Sequence, residues 1–92
     1  MNALSEAADR LEELAVRSTA GDWRVGGLLA SRPEVVAHDG GRTEHVAEAR
    51  AGSAAWIAAL SPAVAAPLAA VLREAGSPAA QELARVLADR LP

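Results

Sequence analysis

The chain has 92 residues, a formal net charge of −3 and no cysteine. This length corresponds to one domain with a small core, and the missing cysteines exclude disulfides and thiolate metal sites. Hydrophobic residues make up 51% of the chain, but about half of them are alanines, which remove little apolar area from water. The acidic balance, with arginines interleaved among acids, argues against binding to a nucleic-acid backbone.

The N-terminal 20 residues predict a helix over residues 3–18. Apolar residues recur there at three- and four-residue spacing and form one stripe. Asn2 is placed as an N-cap, and Glu6 and Arg10 are spaced for an ion pair on the outer face.

Residues 21–49 predict a three-stranded antiparallel meander. Leu28–Ala30 either extend the first strand past a bulge or link it to the second. Asp39-Gly40-Gly41 is a hairpin turn signal, because glycine tolerates positive φ. A sheet this small needs a helical layer on one face. The strands are predicted at residues 23–25, 34–38 and 43–48.

Residues 52–91 predict two to three helices. Ser53, Ser61 and Ser77 are placed as N-caps, and proline follows the last two at the first helical position. Pro67 leaves two alternatives open, a kinked helix or a regular helix that begins at Pro67. Gly76 is the expected C-cap of the helix before it. The predicted core residues are Val64, Leu68, Val71 and Leu72, followed by Ala80, Leu83, Ala84, Leu87 and Leu91.

These elements predict a single α+β domain over residues 1–92. It consists of an N-terminal helix (1–20), a β-meander (21–49) and a helical C-terminal part (52–91) packed on one sheet face. The first ten residues lack the basic start and apolar run of a secretory signal, so the cytoplasm is the expected location.

Residues 51–72 carry no charged side chain and are about as long as a membrane span. The alanine content and Ser61-Pro62 in the middle of the segment favour two short buried helices instead. A helix that is apolar all round is usually covered all round. We therefore expect its outer side to meet the C-terminal helix, a second copy of the chain, or both. The alternative is that exposed alanine needs no cover. The candidate interface residues are Trp56, Ile57, Leu60, Val64, Leu68 and Val71.

The two tryptophans, Trp23 and Trp56, are the only aromatic residues. The core is short of large side chains, so core packing is favoured for both. Of the two, Trp56 is the better candidate to reach a partner, because its helix has no polar face.

The hairpin carries the polar candidates. His38 closes one strand and His45 lies on the next, within about two rungs of it, with Glu48 as a nearby carboxylate. A metal site or a hydrolase is the alternative that these residues raise. A solvated hairpin tip is favoured, because a turn with two glycines gives metal ligands little rigid support. No cofactor is predicted.

A DNA-associated regulator is a further alternative, raised by the closely spaced C-terminal helices. A recognition helix needs Arg, Lys, Asn or Gln toward the groove. Residues 62–75 offer only Arg73 and Glu74, both near the far end, so this alternative is disfavoured.

Five segments carry a resemblance to a known group of proteins. They are residues 21–25 (GDWRV), the glycine-turned hairpin, residues 49–50 (AR), residues 54–62 (AAWIAALSP) and residues 68–72 (LAAVL). The layout resembles small actinobacterial and actinophage proteins, including the phage early-region Ead type. A composition rich in alanine and arginine and free of lysine is also typical of GC-rich genomes. Such proteins are generally of unknown function, so the resemblance implies no catalytic residue.

The function expected from the sequence is a non-enzymatic, self-associating interaction module. A homodimer is expected, with another protein as a further partner.

Overall fold

The computed structural model describes residues 2–26 and 33–92 of the chain. The predicted α+β class and the element order, one helix, three antiparallel strands and three further helices, are confirmed. The prediction for Leu28–Ala30 lies outside the described residues. The bounds are α1 Ala3–Val16, β1 Asp22–Gly26, β2 Glu34–Asp39, β3 Arg42–Glu48, α2 Ala51–Ala59, α3 Ala65–Glu74 and α4 Pro78–Arg90.

The fold divides into two compact units. The first, here called the helical unit, combines Met1–Ser18 with Val64–Pro92. The second, the sheet unit, is the continuous segment Thr19–Ala63.

Helix α1 begins as the sequence predicts. The Asn2 side chain accepts a hydrogen bond from the Ser5 amide at 2.8 Å, which satisfies one of the free donors of the first turn. Arg10 donates to Glu6 at 3.1 Å on the outer face. At the other end, Ser18 Oγ donates to the carbonyl of Leu14.

The core of the helical unit forms where α1 packs against α3 and α4. Leu72 is its largest fully buried side chain among the described residues. The rest is mostly alanine, whose short side chain lets helix backbones approach closely. The buried residues are Leu4, Ala7, Ala8, Ala69, Leu72, Ala80 and Ala84.

Two residues predicted for this core are exposed instead. Val71 is 56% exposed and Leu83 is 36% exposed. The buried stripe of α3 runs through Ala65, Ala69 and Leu72. Val71 precedes Leu72 by one residue, so its side chain projects about 100° away from this stripe. The contact follows the small residues because they allow the closest packing.

The start of α3 agrees with neither alternative for Pro67, and its N-cap is Val64 rather than the predicted Ser61. A 3₁₀ turn covers Pro62–Val64 and α3 begins at Ala65, so Pro67 is its third residue. An amide in the first turn has no intrahelical acceptor, and proline therefore costs no hydrogen bond there. The helix neither begins at Pro67 nor needs to kink there.

The end of α3 corrects the prediction for Gly76. The C-cap is Ala75, in an extended conformation with φ −85° and ψ 142°. Gly76 is not among the positive-φ glycines of the described residues. The chain leaves α3 directly into the extended approach to α4, so no left-handed cap is used.

Helix α4 begins at the predicted cap. Ser77 Oγ accepts a hydrogen bond from the Ala80 amide at 3.2 Å, and Pro78 is the first helical residue.

We expect Ser77→Ala to lower the free energy of unfolding by about 1 kcal/mol, as loss of a serine cap does. Urea unfolding, monitored by circular dichroism, measures this loss in the free energy of unfolding. Ser53→Ala is the control, since Ser53 lies inside α2 and caps nothing. Equal losses of stability in the two variants would contradict the role of Ser77 as the N-cap of α4.

The sheet has the order β1-β2-β3, with both strand pairs antiparallel. The β2–β3 hairpin turns at Gly40 and Gly41, whose φ values of 57° and 83° are those of a type I′ turn. Val35 pairs with Ala47 and Val36 with His45, so Val46 is an extra residue in β3. This bulge breaks the alternation predicted around Val46.

The sheet unit buries Val35, Val36 and Ala37 at the centre of β2. Helix α2 packs against β1 and β2. It begins at Ala51, with Arg50 as its N-cap residue and no side-chain capping bond. The predicted N-cap at Ser53 is therefore wrong by three residues, close to one turn, because the helix extends back through Gly52 to Ala51.

Candidate functional site

The outer side of α2 is the largest departure from the predicted core. Trp56 is 69% exposed and Leu60 is 54% exposed. The expectation that Trp56 packs in the core is wrong, because α2 buries Ala54, and Trp56 points to nearly the opposite side at 100° per residue. We call the exposed side the α2 outer face. Its residues are Gly52, Ala55, Trp56, Ala59 and Leu60.

Trp23, by contrast, is half-buried in the sheet unit. Its indole Nε1 donates to the carbonyl of Thr19 at 2.9 Å. The ring is thereby fixed at the start of β1, which agrees with a packing role.

The six predicted interface residues divide evenly. Ile57, Val64 and Leu68 are half-buried, and Leu68 packs against the core of the helical unit. The structure thus gives Leu68 an intramolecular role and leaves three residues exposed to solvent. These are Trp56, Leu60 and Val71.

Among the described residues, one helical stretch, Ala51–Glu74, is long and apolar enough to cross a membrane, judged by length and composition only. Only 17% of its most apolar window is buried. The stretch is not a single α-helix, because α2 ends at Ala59 and a 3₁₀ turn precedes α3. Within the part of the chain that the structure describes, the exposed apolar side chains of this stretch therefore need an explanation.

The hairpin histidines lie two rungs apart, as predicted. His38 is opposite Thr43, and His45 is opposite Val36. Each imidazole has its own partner. His45 Nδ1 lies 2.7 Å from Glu34 Oε2, and His38 Nδ1 lies 3.1 Å from Thr43 Oγ1.

Glu48, the third polar candidate, is opposite Glu34 at the far end of the β2–β3 ladder. Within residues 2–26 and 33–92, no group of three His, Asp or Glu side chains is arranged to hold a metal ion. The structure thus brings His45 to Glu34 rather than to Glu48. It creates two separate polar pairs on the hairpin, and both are exposed to water.

A concavity of about 290 Å³ lies beside the hairpin turn. No sequence motif predicts this concavity, because it depends on how the turn and the end of the sheet meet. Its charged lining side chains are exposed, so water competes with any ligand for them. The lining residues are Ala20, Ala37, Asp39, Arg42, Thr43 and Glu44.

The shifted pKa values lie on the helical unit and arise from ion pairs. Hydrogen bonds to Asp9 and then to Glu12 raise the pKa of Arg73. A hydrogen bond from Arg85 lowers the pKa of Glu82. Both shifts favour the charged forms, and both are caused by ion pairs between surface side chains. Neither supplies a group poised to exchange protons near neutral pH.

No protein-family model, curated protein or solved structure matches this chain.

Proposed function

We propose that this protein is a non-enzymatic interaction module that self-associates through the α2 outer face. The observation that carries the proposal is the exposure of Trp56, the larger part of whose side chain is open to water. Tryptophan is the residue type most enriched at the energetic centres of protein interfaces. Here it lies in the middle of a face made otherwise of small and aliphatic residues.

The charge distribution supports contact between like copies. Each chain carries a net charge of −3, so two copies repel each other over most of their surface. The segment from Ala51 to Leu72 has no charged residue. Contact there brings no like charges together, and desolvates no ionised group.

The available area predicts a weak dimer. A tryptophan side chain offers roughly 150–250 Å². At about 25 cal/mol per Å², covering the exposed part of Trp56 contributes roughly 3–4 kcal/mol per copy. Association costs about 4–15 kcal/mol in lost freedom. Only toward the lower end of that cost do Trp56 from two copies, helped by Leu60, leave a surplus of a few kcal/mol. We therefore expect dissociation constants in the high-micromolar-to-millimolar range.

Sedimentation equilibrium from about 10 μM to about 1 mM tests the proposal, with expected affinities in the range just given. The wild-type mass should rise toward that of a dimer. Trp56→Glu and Leu60→Glu should each weaken association at least tenfold, because each places a charge in an apolar contact.

Val16→Glu is the matched control, since Val16 is 86% exposed on α1 and lies outside the α2 outer face. It should leave association unchanged. A wild-type chain that stays monomeric throughout would overturn the proposal. Flotation with phosphatidylcholine vesicles is a second measurement, which shows whether the protein binds a lipid surface. Vesicle binding without any dimer would assign the face to a lipid surface instead.

We further propose that the protein acts in the cytoplasm and belongs with the phage-related actinobacterial proteins that its layout resembles. The support is the order of a GDWRV strand, a glycine hairpin and an alanine-rich helix with a central tryptophan. An unidentified protein partner is part of this proposal. Purification of a tagged chain from an actinobacterial host, with Trp56→Glu as comparison, tests whether a partner depends on the same face.

A further inference from the structure

We infer that two copies pair through α2 in an antiparallel arrangement about a two-fold axis close to Ala55. This inference rests on the proposed self-association and adds its geometry. Trp56 of each copy would lie over Gly52 and Ala55 of the other.

The shape of the α2 outer face favours this pairing. Gly52 has no side chain, and nothing lies within 4 Å of where its Cβ would be. Ala55 and Ala59 add only methyl groups, and both are exposed. One large ring therefore stands beside a shallow trough of small residues. In a two-fold pair, each ring can fill the trough of the partner.

The ends of α2 favour an antiparallel pair. The last turn of α2, residues 56–59, carries no basic side chain to complement its carbonyl end. Arg50 is exposed at the opposite end. An antiparallel pair brings the end of α2 that carries Arg50 next to the carbonyl end of the other copy's α2. A parallel pair would instead bring two Arg50 side chains and two positive helix ends together.

The position of the axis follows from the same two ends. Arg50 and Leu60 flank α2 symmetrically about Ala55. An axis at Ala55 thus brings both copies of Arg50 to the partner's last turn at once. At this register Ala55 faces its own counterpart. Ala59 is four residues from the two-fold axis, so at 1.5 Å per residue it lies about 12 Å from its counterpart along the helix direction.

Disulfide trapping tests the geometry cleanly, because the chain contains no native cysteine. Ala55→Cys, Ala59→Cys and Val16→Cys are oxidised with copper phenanthroline and compared on non-reducing gels. Val16→Cys measures the collisional background. We expect Ala55→Cys to give at least fivefold more cross-linked dimer than either other variant, since a disulfide needs its Cα atoms within about 7 Å.

The outcomes separate the inference from the proposed function. Equal trapping at positions 55 and 59 would indicate a parallel pair and overturn the inference. No trapping at either position, in a chain that sediments as a dimer, would overturn it while self-association stands. A wild-type chain that stays monomeric would overturn both the inference and the proposed self-association.

Arg50→Glu should also weaken dimerisation about threefold to tenfold. No effect would contradict the argument that Arg50 complements the carbonyl end of the partner's α2.

Discussion

Leu72→Ala should lower the free energy of unfolding by about 2–5 kcal/mol, the usual cost of removing a buried leucine side chain. Leu72 is fully buried where α3 meets the core of the helical unit. Its neighbours there are mainly alanines, which have no rotamers with which to fill the space. The cavity should stay open, and the loss should fall toward the upper end of the range.

Far-UV circular dichroism during urea unfolding measures the loss, because α1, α3 and α4 supply most of the helical signal. Leu83→Ala is the matched control. It removes the same atoms from α4, but Leu83 is 36% exposed, so it should cost less than about 1.5 kcal/mol. Similar losses in both variants would show that Leu72 is not the centre of this core.

Gly21→Ala should cost at least about 1–3 kcal/mol, from backbone strain alone. Gly21 has a φ of 112°, which L-residues rarely adopt. An added Cβ would also lie 2.6 Å from the carbonyl oxygen of His38. That oxygen belongs to the β2 backbone, which is paired on both sides. It cannot move away without disturbing the sheet.

Tryptophan fluorescence measures this effect, because Trp23 and Trp56 both lie in the sheet unit. Gly52→Ala is the matched control, because Gly52 lies in the same unit, has no neighbouring element within 4 Å of the new methyl group and has no positive φ. It should be neutral or slightly stabilising, by up to about 1 kcal/mol. A Gly21→Ala variant as stable as the wild type would contradict the conformation assigned to Gly21.

The element order could be predicted because local signals agree with one another. Asn2 and Ser77 cap the helices that they were expected to cap, and the glycine pair closes the hairpin. These are short-range effects, in which the residues that define the signal also make the contact.

The rotation of the alanine-rich helices could not be predicted in the same way. In α2 and α3, alanine occupies every side, so the hydrophobic pattern has little contrast to fix which side faces the core. The structure buries Ala54 and Ala69 and leaves Trp56 and Val71 in water. Side-chain size misled the prediction, since the closest helix contacts select the smallest residues.

The hairpin site was predicted in outline. A two-residue turn fixes the register and places His38 and His45 two rungs apart. Glu34 as the partner of His45 was missed. Counting residues back along β2 from the same turn would have placed Glu34 diagonally across from His45, on the same face of the sheet. The bulge at Val46 depends on the cross-strand pairing, which no single strand sequence specifies.

The helical unit is assembled from two stretches of chain that are separated by the whole sheet unit. During translation, α1 leaves the ribosome first but cannot complete its core until α3 and α4 follow. At roughly 5–20 residues per second, the apolar stripe of α1 waits several seconds without its packing partners. The sheet unit is continuous in sequence and can fold during that interval. The order of synthesis therefore gives the sheet unit the first opportunity to fold, and the helical unit completes its core later.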